Sequence, residues 1–559
     1  MDMNVNSRFS YNPGTYARRS RFDLSTTVKT SFDVGDLVPF YYEEVLPGDT
    51  FVLDTNVLAR MQTLLTPIMD DLYLDVFYFY VPNRLTWEHW KEFMGENTKS
   101  AWYPTTEYTI PQITVAPEKS VAFKSAADYM GIPPITVDSG QPGLSFSALP
   151  FRAYGLIWNE WFRDENLQDP VLVDTGDSTH VYNADNAVDG GKLLKANKYH
   201  DYFTSALPSP QKGPDVTIPL ANVAPVYSVN QADYPDVNWR YSSTGLQFKA
   251  LGNTGTSGFF SFGSNLPANG ALSGDILNTE LRNTGGGGSA IVPVTPANLV
   301  ADLQNVPVTT INSLRLAFAT QRLYEKDARG GTRYREIIKS HFNTISPDAR
   351  QQVPELLGYN RINISISQVV QNSETATTPQ GHTAAFSLTA DSDSSFTKSF
   401  TEHGMVIGLL CARYKHTYQQ GIPRCFSRKS RFDYYWPVFA NLGEQPVLNK
   451  EIFANGTEKD NEVFGYQEAW AEYRYHPDSC TSEMRSSYPQ SLDVWHLGDD
   501  YNALPSLSPT WIQEDKSTVD RVLAVTSANS NQLFADIYVK NVATRVMPMF
   551  SIPGMSNML

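Results

Sequence analysis

A pair of adjacent glycines among basic residues is the feature of this sequence that most suggests chemistry. Gly330-Gly331 separates two stretches with helical spacing of apolar residues, and Arg329, Arg333 and Arg335 flank it. Glycines before a helix can cradle a phosphate, and arginine recognises phosphates and carboxylates. A phosphate loop also needs a preceding strand, which the sequence does not indicate here. The arginines therefore point either to nucleic acid or acidic groups of a neighbouring subunit, or to a solvated helix face.

The cysteines and histidines offer little basis for a metal site. Cys411, His416 and Cys425 are close in sequence, but their spacing fits no common zinc site, and alternation along a strand would disperse them. His476, Asp478 and Cys480 form a similarly weak pattern. The motifs G-x-S-x-G, Walker A, H-E-x-x-H and paired C-x-x-C are absent. We therefore predict no cofactor, no metal and no catalytic centre.

One alternative function is a carbohydrate-binding or glycan-degrading β-sandwich protein, because carboxylates and aromatic residues are numerous. A glycoside hydrolase needs two carboxyl groups that face each other across a cleft. Glu43-Glu44 and Asp70-Asp71 are adjacent pairs, and neighbours along a strand point to opposite faces. Individual residues therefore give this alternative no support.

The composition indicates a large globular protein with few charged residues. Of 559 residues, 41% are hydrophobic, 12% aromatic and 18% charged, and the formal net charge is −15. This net charge argues against coating by nucleic acid, while the scarcity of charge favours a surface covered by partners. Three cysteines, no secretion signal and no long apolar run predict no disulfide framework, no membrane insertion and synthesis in a reducing cytoplasm.

The amino terminus predicts a basic arm over residues 1–30. Five basic residues exceed two acidic ones, Asp2 and Asp23, which gives a net charge of +3. Such an arm can pair with phosphates, and the alternative is an ordinary terminus without a ligand. The DNA-facing candidates are Arg8, Arg18, Arg19, Arg21 and Lys29.

Short strands separated by turns predict a mainly β fold that would position these residues. Strand signals lie at residues 32–44, 51–60, 72–81, 361–370, 404–414, 431–436 and 532–546. Their short spacing favours a sandwich or barrel over a βαβ fold. Helices are predicted at residues 84–95 and 149–164. In the second helix, Trp158 and Trp161 belong to a broad aromatic face, which indicates core or subunit interface.

The glycine pair itself predicts a helix, a break and a second helix. Paired glycines favour left-handed backbone and weaken a helix interior, so the first helix should stop there and Thr332 should cap the next one. In the second helix, Tyr334, Ile337 and His341 share one face. His341 is interpreted as a satisfied core histidine rather than a ligand.

Residues 171–299 differ from the rest and predict a glycine-rich insertion that forms a surface protrusion. Fifteen of the 35 glycines lie between residues 171 and 300, and the low charge of this stretch argues against ordinary disorder. Four consecutive glycines predict a mobile or tightly turning loop: Gly285, Gly286, Gly287 and Gly288. The predicted core comprises residues 31–170 and 300–559.

Several long motifs resemble the major capsid protein of the Microviridae, gokushovirus branch, a family of small single-stranded DNA bacteriophages. They cover nearly everything outside residues 171–300. The motifs are LVPFYYEEVLPGD (37–49), DVFYFYVPNR (75–84), LPFRAYGLIWNEWFRDEN (149–166), ARGGTRYREIIKSHF (328–342) and ATRVMPM (543–549).

The resemblance implies a viral jelly roll, an eight-stranded antiparallel β-sandwich with long, partly helical inter-strand insertions. Sixty copies would form a T=1 shell around circular single-stranded DNA, and the insertion would meet a host surface receptor. The implied partners are a small basic DNA-binding protein, an internal scaffolding protein and a pilot protein. On this basis Arg329, Arg333, Arg335, Trp158 and Trp161 are predicted to lie near subunit contacts, and Gly330-Gly331 to set a bend.

Overall fold

In the computed structural model, the described residues are 19–97, 106–217, 311–377 and 379–550, with the backbone of four short strands at 226–228, 247–249, 259–261 and 299–301. Nine strands build a β-sandwich. They are β1 (Ser20–Asp23), β2 (Thr26–Phe32), β3 (Val38–Val45), β4 (Thr50–Met61), β5 (Leu72–Pro82), β6 (Glu355–Asn363), β7 (Thr389–Ser399), β8 (Gly404–Tyr414) and β9 (Leu533–Arg545).

These strands form two antiparallel sheets with the interleaved order of a jelly roll. In the first sheet, β9 lies between β4 and the pair β1 and β2, and β7 pairs with the other side of β4. Because β1 and β2 pair with successive parts of β9, they occupy one strand position. The second sheet has the order β6-β5-β8-β3. The predicted eight-stranded sandwich is confirmed.

The two sheets differ in how their outer faces are covered. In β4, Phe51, Leu53 and Val57 are buried and alternate with more exposed residues, the pattern of a sheet with one solvated face. In β8, ten of eleven residues are buried. The outer face of the second sheet is covered by the insertion after β5, where the rings of Phe77 and Phe162 meet edge to face with centroids 5.1 Å apart.

Two long insertions interrupt the sandwich, at residues 83–354 between β5 and β6 and at residues 415–532 between β8 and β9. The α-helices are α1 (Asn83–Thr86), α2 (Trp90–Phe93), α3 (Ala126–Tyr129), α4 (Leu149–Ile157), α5 (Ile311–Gly330), α6 (Tyr334–Phe342), α7 (Asp348–Gln351), α8 (Asn449–Ile452) and α9 (Ser517–Asp520). A π-helical turn, Trp158–Phe162, continues α4. The 3₁₀ turns are Arg424–Ser427, Arg431–Asp433, Pro437–Phe439, Glu458–Asn461, Ala471–Tyr473, Ser482–Met484 and Asp493–Trp495.

The remaining strands form small two- and three-stranded sheets outside the sandwich. They are Gln112–Val115, Leu144–Ser147, His180–Val181, Val226–Ser228, Gln247–Lys249, Phe259–Ser261, Leu299–Ala301, Ile366–Val370, Thr383–Ser387, Thr417–Tyr418, Glu444–Leu448, Val463–Glu468 and Asp478–Ser479. The two long insertions share a second apolar cluster, in which Phe203 of the first insertion packs against Tyr418 and Phe464 of the second.

The chain divides into two compact units, residues 1–214 with 323–559 and residues 215–322. Residues 171–214, which were predicted to be part of the insertion, contribute Ala187, Leu193 and Ala196 to the core of the sandwich. Among the described residues, no helix is long and apolar enough to span a membrane.

The structure revises three details of the sequence interpretation. The last part of the predicted arm, residues 20–30, belongs to β1 and β2, because its alternating side chains complete the edge of the first sheet. The strand predicted at residues 431–436 is wrong. There, Ser430 Oγ and the Asp433 carboxylate accept hydrogen bonds from nearby backbone N–H groups and close a 3₁₀ turn. Arg333, not Thr332, is the N-cap of α6.

Candidate assembly surfaces

The glycine pair forms the bend that the sequence predicted between α5 and α6. Gly331 has φ 93°, a left-handed conformation that side chains other than glycine rarely adopt. A Cβ atom on Gly331 would overlap Glu336 Oε2, and one on Gly330 would lie 2.7 Å from Ser340 Cβ. The two glycines therefore allow a close approach within the chain.

Arg333 is enclosed by groups of its own chain. Its Nη1 atom lies 2.5 Å from Glu165 Oε1 and 3.4 Å from Glu336 Oε1, and its Nη2 atom donates to the Asn159 carbonyl at 2.6 Å. Only 15% of the side chain is exposed. Its guanidinium thus links the start of α6 to the segment that follows α4 through an ion pair and a hydrogen bond.

The same guanidinium faces two neighbouring carboxyl groups, whose pKa values shift in opposite directions. Burial, followed by the charge of Glu165, raises the pKa of Glu336. Burial alone would also raise the pKa of Glu165. Hydrogen bonding from Thr332 and the charge of Arg333 outweigh burial and lower this pKa. The Thr332 N–H donates to Glu165 Oε2 at 2.6 Å. The arrangement is a partly buried internal ion cluster.

Arg335, Trp158 and Trp161 make further contacts beside this ion cluster. The Arg335 guanidinium lies 4.2 Å from the ring centroid of Trp161, and Arg335 Nη2 donates to the Glu160 carbonyl at 2.8 Å. Trp161 Nε1 donates to the Pro354 carbonyl at 2.9 Å. Trp158 is 4% exposed, and its Nε1 donates to the Lys195 carbonyl at 2.8 Å.

Of the five predicted subunit-contact residues, Arg329 is the most accessible arginine. It pairs with Glu444 and lies 3.8 Å from Glu468, and 42% of its side chain is exposed. The structure therefore brings the five residues into one region and engages each of them within the chain. The alternative of a solvated helix face is wrong for Arg333 and Arg335, whose charges pair with groups of the same chain. Contact with a neighbouring subunit stays a prediction.

The DNA-facing candidates do not form a cluster in the described part of the chain. Arg8 and Arg18 lie outside the described residues, and Arg19 and Arg21 are exposed at the start of β1. Lys29 lies on β2, where its Nζ atom is 2.8 Å from Asp536 Oδ2. Gly285, Gly286, Gly287 and Gly288 also lie outside the described residues.

His416, one of the weak metal candidates, belongs to a buried ion cluster that sequence reasoning missed. Its Nδ1 lies 2.9 Å from Asp499 and its Nε2 lies 3.1 Å from Glu514, while Lys198 is 3.5 Å from the other Asp499 oxygen. Burial opposes the charge of His416, but the two carboxylates outweigh it and raise its pKa to about 10. Because these residues are far apart in the sequence, no local motif indicates that they form a cluster.

The cysteines do not complete a metal site around His416. Cys411 is buried and its pKa is raised by burial, while Cys425 is exposed. Within the described residues, no group of three or more histidine, cysteine, aspartate or glutamate side chains is arranged to hold a metal ion. His341 pairs with Asp327 at 2.7 Å, in agreement with its interpretation as a satisfied histidine.

An exposed aromatic surface lies in the insertion before β9. Residues 429–438, here called the aromatic loop, are all exposed. Beside them is a cavity of about 400 Å³, here called the tyrosine groove, whose lining includes Tyr202, Tyr418, Tyr473 and Tyr475. Because part of the loop was predicted to be a strand, sequence reasoning missed this surface.

A complete jelly roll with two long insertions, whose candidate residues hold the chain together, defines a structural protein of the viral shell type. The chain matches the family of the capsid protein (F protein) over residues 10–555, and it belongs to that family. This is a family of capsid proteins and not of enzymes, so the chain is a component of the phage virion.

Relatives from three phages support this assignment along the whole chain. The chain is 41% identical over 552 residues to capsid protein VP1 of Bdellovibrio phage phiMH2K, with 98% of this chain and 97% of the relative covered. It is 40% identical to capsid protein VP1 of Chlamydia phage 1 (99% and 98% covered) and 40% identical to that of Spiroplasma virus 4 (98% and 97% covered). The resemblance to the Microviridae capsid protein is confirmed.

Proposed function

We propose that the chain is the major capsid protein of a T=1 icosahedral shell, in which sixty copies enclose circular single-stranded DNA. The observation that carries this proposal is the family match over residues 10–555. The complete jelly roll supports it, because the resemblance to the Microviridae capsid protein implies this fold for the shell subunit.

We assign the DNA-facing role to the amino-terminal segment before β1. Arg8, Arg18 and Arg19 belong to it, and Arg21 follows on the exposed edge strand. Cations in a segment of this kind neutralise phosphates without reading base sequence. Lys29 contributes less to DNA binding in this proposal, because it already pairs with Asp536.

We assign host contact to the insertion at residues 171–299, and within it to residues 215–299, which belong to the separate compact unit. Deleting residues 283–290, which include the four glycines, should leave particle yield unchanged and reduce adsorption to host cells. Loss of particles would instead place these glycines in a subunit contact.

The remaining partners in this proposal are an internal scaffolding protein, a small basic DNA-binding protein, a pilot protein and a host surface receptor. The test is to express the chain with the other proteins encoded by its genome and to treat purified particles with nuclease. Protected circular single-stranded DNA is expected. Particles that protect no DNA would contradict the enclosing role.

A further inference from the structure

The aromatic loop exposes an unusual amount of apolar surface. Val438 is 89% exposed, Phe432 58% and Trp436 49%. The loop's backbone hydrogen bonds are those of local turns, such as Phe439 N–H to the Trp436 carbonyl at 2.8 Å. Exposed apolar residues of this size that are adjacent in the fold mark an interaction surface.

The tyrosine groove lies directly beside this loop. Arg428, which precedes the loop, lines the groove, and its guanidinium lies 5.1 Å from the ring centroid of Tyr434 and 4.6 Å from that of Tyr473. The groove is lined by aromatic rings and can receive an aromatic side chain. The exposed aromatic loop and the aromatic-lined tyrosine groove therefore lie side by side.

The charges on this face complement each other. Arg428 is paired internally with Glu472 at 3.2 Å. Lys429 and Arg431 of the loop have no carboxylate within ion-pair distance among the described residues, and Asp478 of the groove lining has no cation within that distance. The aromatic loop thus presents positive charge to a partner, and the tyrosine groove presents negative charge.

A twofold axis satisfies all of these features at once. In a twofold contact both partners use the same surface patch, so that the aromatic loop of each copy enters the tyrosine groove of the other. Exposed aromatic residues with cations also suit single-stranded nucleic acid. However, Val438 offers no ring for a base to stack on, and Asp478 would repel phosphates. The observations therefore favour protein.

We propose that the aromatic loop and the tyrosine groove form a twofold contact between two copies of this chain, with Lys429 and Arg431 of one copy facing Asp478 of the other. This inference rests on the proposed shell and names one surface through which its subunits join.

A charge exchange tests the proposal. Particle yield is measured in cells that express the chain with the other proteins of its genome. K429E/R431E and D478K should each lower the yield by about tenfold or more, because each places like charges opposite one another. The combined variant K429E/R431E/D478K should recover most of the yield.

The matched control is K119E/K124E, which makes the same change in net charge at two exposed lysines elsewhere. Adding D478K to this control should not raise its yield. A second variant, V438S, should lower the yield without a change in the melting temperature of the unassembled chain, because Val438 is almost fully exposed.

Three results would overturn the proposal. The first is wild-type yield in K429E/R431E and in V438S. The second is a loss of particle yield in both K429E/R431E and D478K that is not recovered in the combined variant. The third is loss of bound single-stranded DNA in K429E/R431E that D478K does not restore, which would identify a nucleic-acid surface. In each case the unmodified chain still forms particles, whereas failure of the proposed shell would appear as no particles from the unmodified chain.

Discussion

Arg335 stacks on Trp161, with its guanidinium 4.2 Å from the ring centroid, and this contact joins α6 to the π-helical turn after α4. Both residues belong to motifs that were predicted to lie near subunit contacts. In the isolated chain they fix the position of the bend at Gly330-Gly331 against the rest of the insertion.

Replacing Arg335 should destabilise the chain, whereas replacing an exposed arginine nearby should have little effect. Arg335→Ala removes the stacking contact and the hydrogen bond to the Glu160 carbonyl, which should lower the free energy of unfolding by about 2 kcal/mol. Arg335→Lys should recover little, because lysine lacks the planar guanidinium. Urea denaturation measures both. Arg350→Ala, at an exposed residue, is the control and should change stability by less than about 0.5 kcal/mol.

Replacing Gly331 separates close packing from backbone strain. Gly331→Ala places a Cβ atom against Glu336 Oε2 at φ 93°, so both effects oppose folding. Gly381→Ala has a similar φ of 86° but no atom within 4 Å, and it should cost only the strain of about 1 kcal/mol. We expect the melting temperature to fall clearly further for Gly331→Ala. Equal shifts would show that the bend tolerates a side chain.

The buried cluster around His416 should make stability depend on pH in the alkaline range. The pKa of His416 is raised from 6.5 to about 10 in the folded chain. A raised pKa contributes stability that is fully present below pH 6.5 and is lost as the pH rises towards 10. The free energy of unfolding should fall by up to about 1.4 kcal/mol per pH unit in this window.

His416→Gln should be less stable at pH 6 and should lack this part of the pH dependence. The control is His200→Gln, at an exposed histidine, which should keep the wild-type profile. Urea midpoints measured between pH 6 and pH 10 provide the comparison. An unchanged slope in His416→Gln would mean that other groups cause the dependence.

Shortening the amino terminus should affect DNA content rather than the fold. Because β1 begins at Ser20, the deletion that leaves the sandwich complete removes residues 2–18. We expect particles of normal size with less protected DNA. Arg8→Gln/Arg18→Gln keeps the chain length and should show the same direction of change. Normal DNA content in both variants would remove these arginines from the proposed interface.

Much of the fold could be predicted from the sequence because its signals are local. Alternation along β4 and β9 and the continuous apolar runs of β5 and β8 follow directly from one-sided and two-sided burial. The bend at Gly331 was also predictable, since a glycine pair between two helical patterns is typical of a helix end.

The arrangement of the charged side chains could not be predicted in this way. Arg333 meets Glu165 across 168 positions of sequence, and His416 meets Asp499 across 83. Such pairs depend on how the insertions fold in three dimensions. The periodicity of apolar residues predicts only local secondary structure and not these contacts. The aromatic loop was misassigned because its residues favour strands by type, whereas the Ser430 and Asp433 side chains accept backbone hydrogen bonds that close a turn.

The most direct test of the proposed shell is an electron cryomicroscopy reconstruction of particles made by the chain with the other proteins of its genome. We expect a uniform T=1 icosahedral particle with sixty copies of the jelly roll. A chain that stays monomeric under these conditions, or a particle with another copy number, would contradict the proposal.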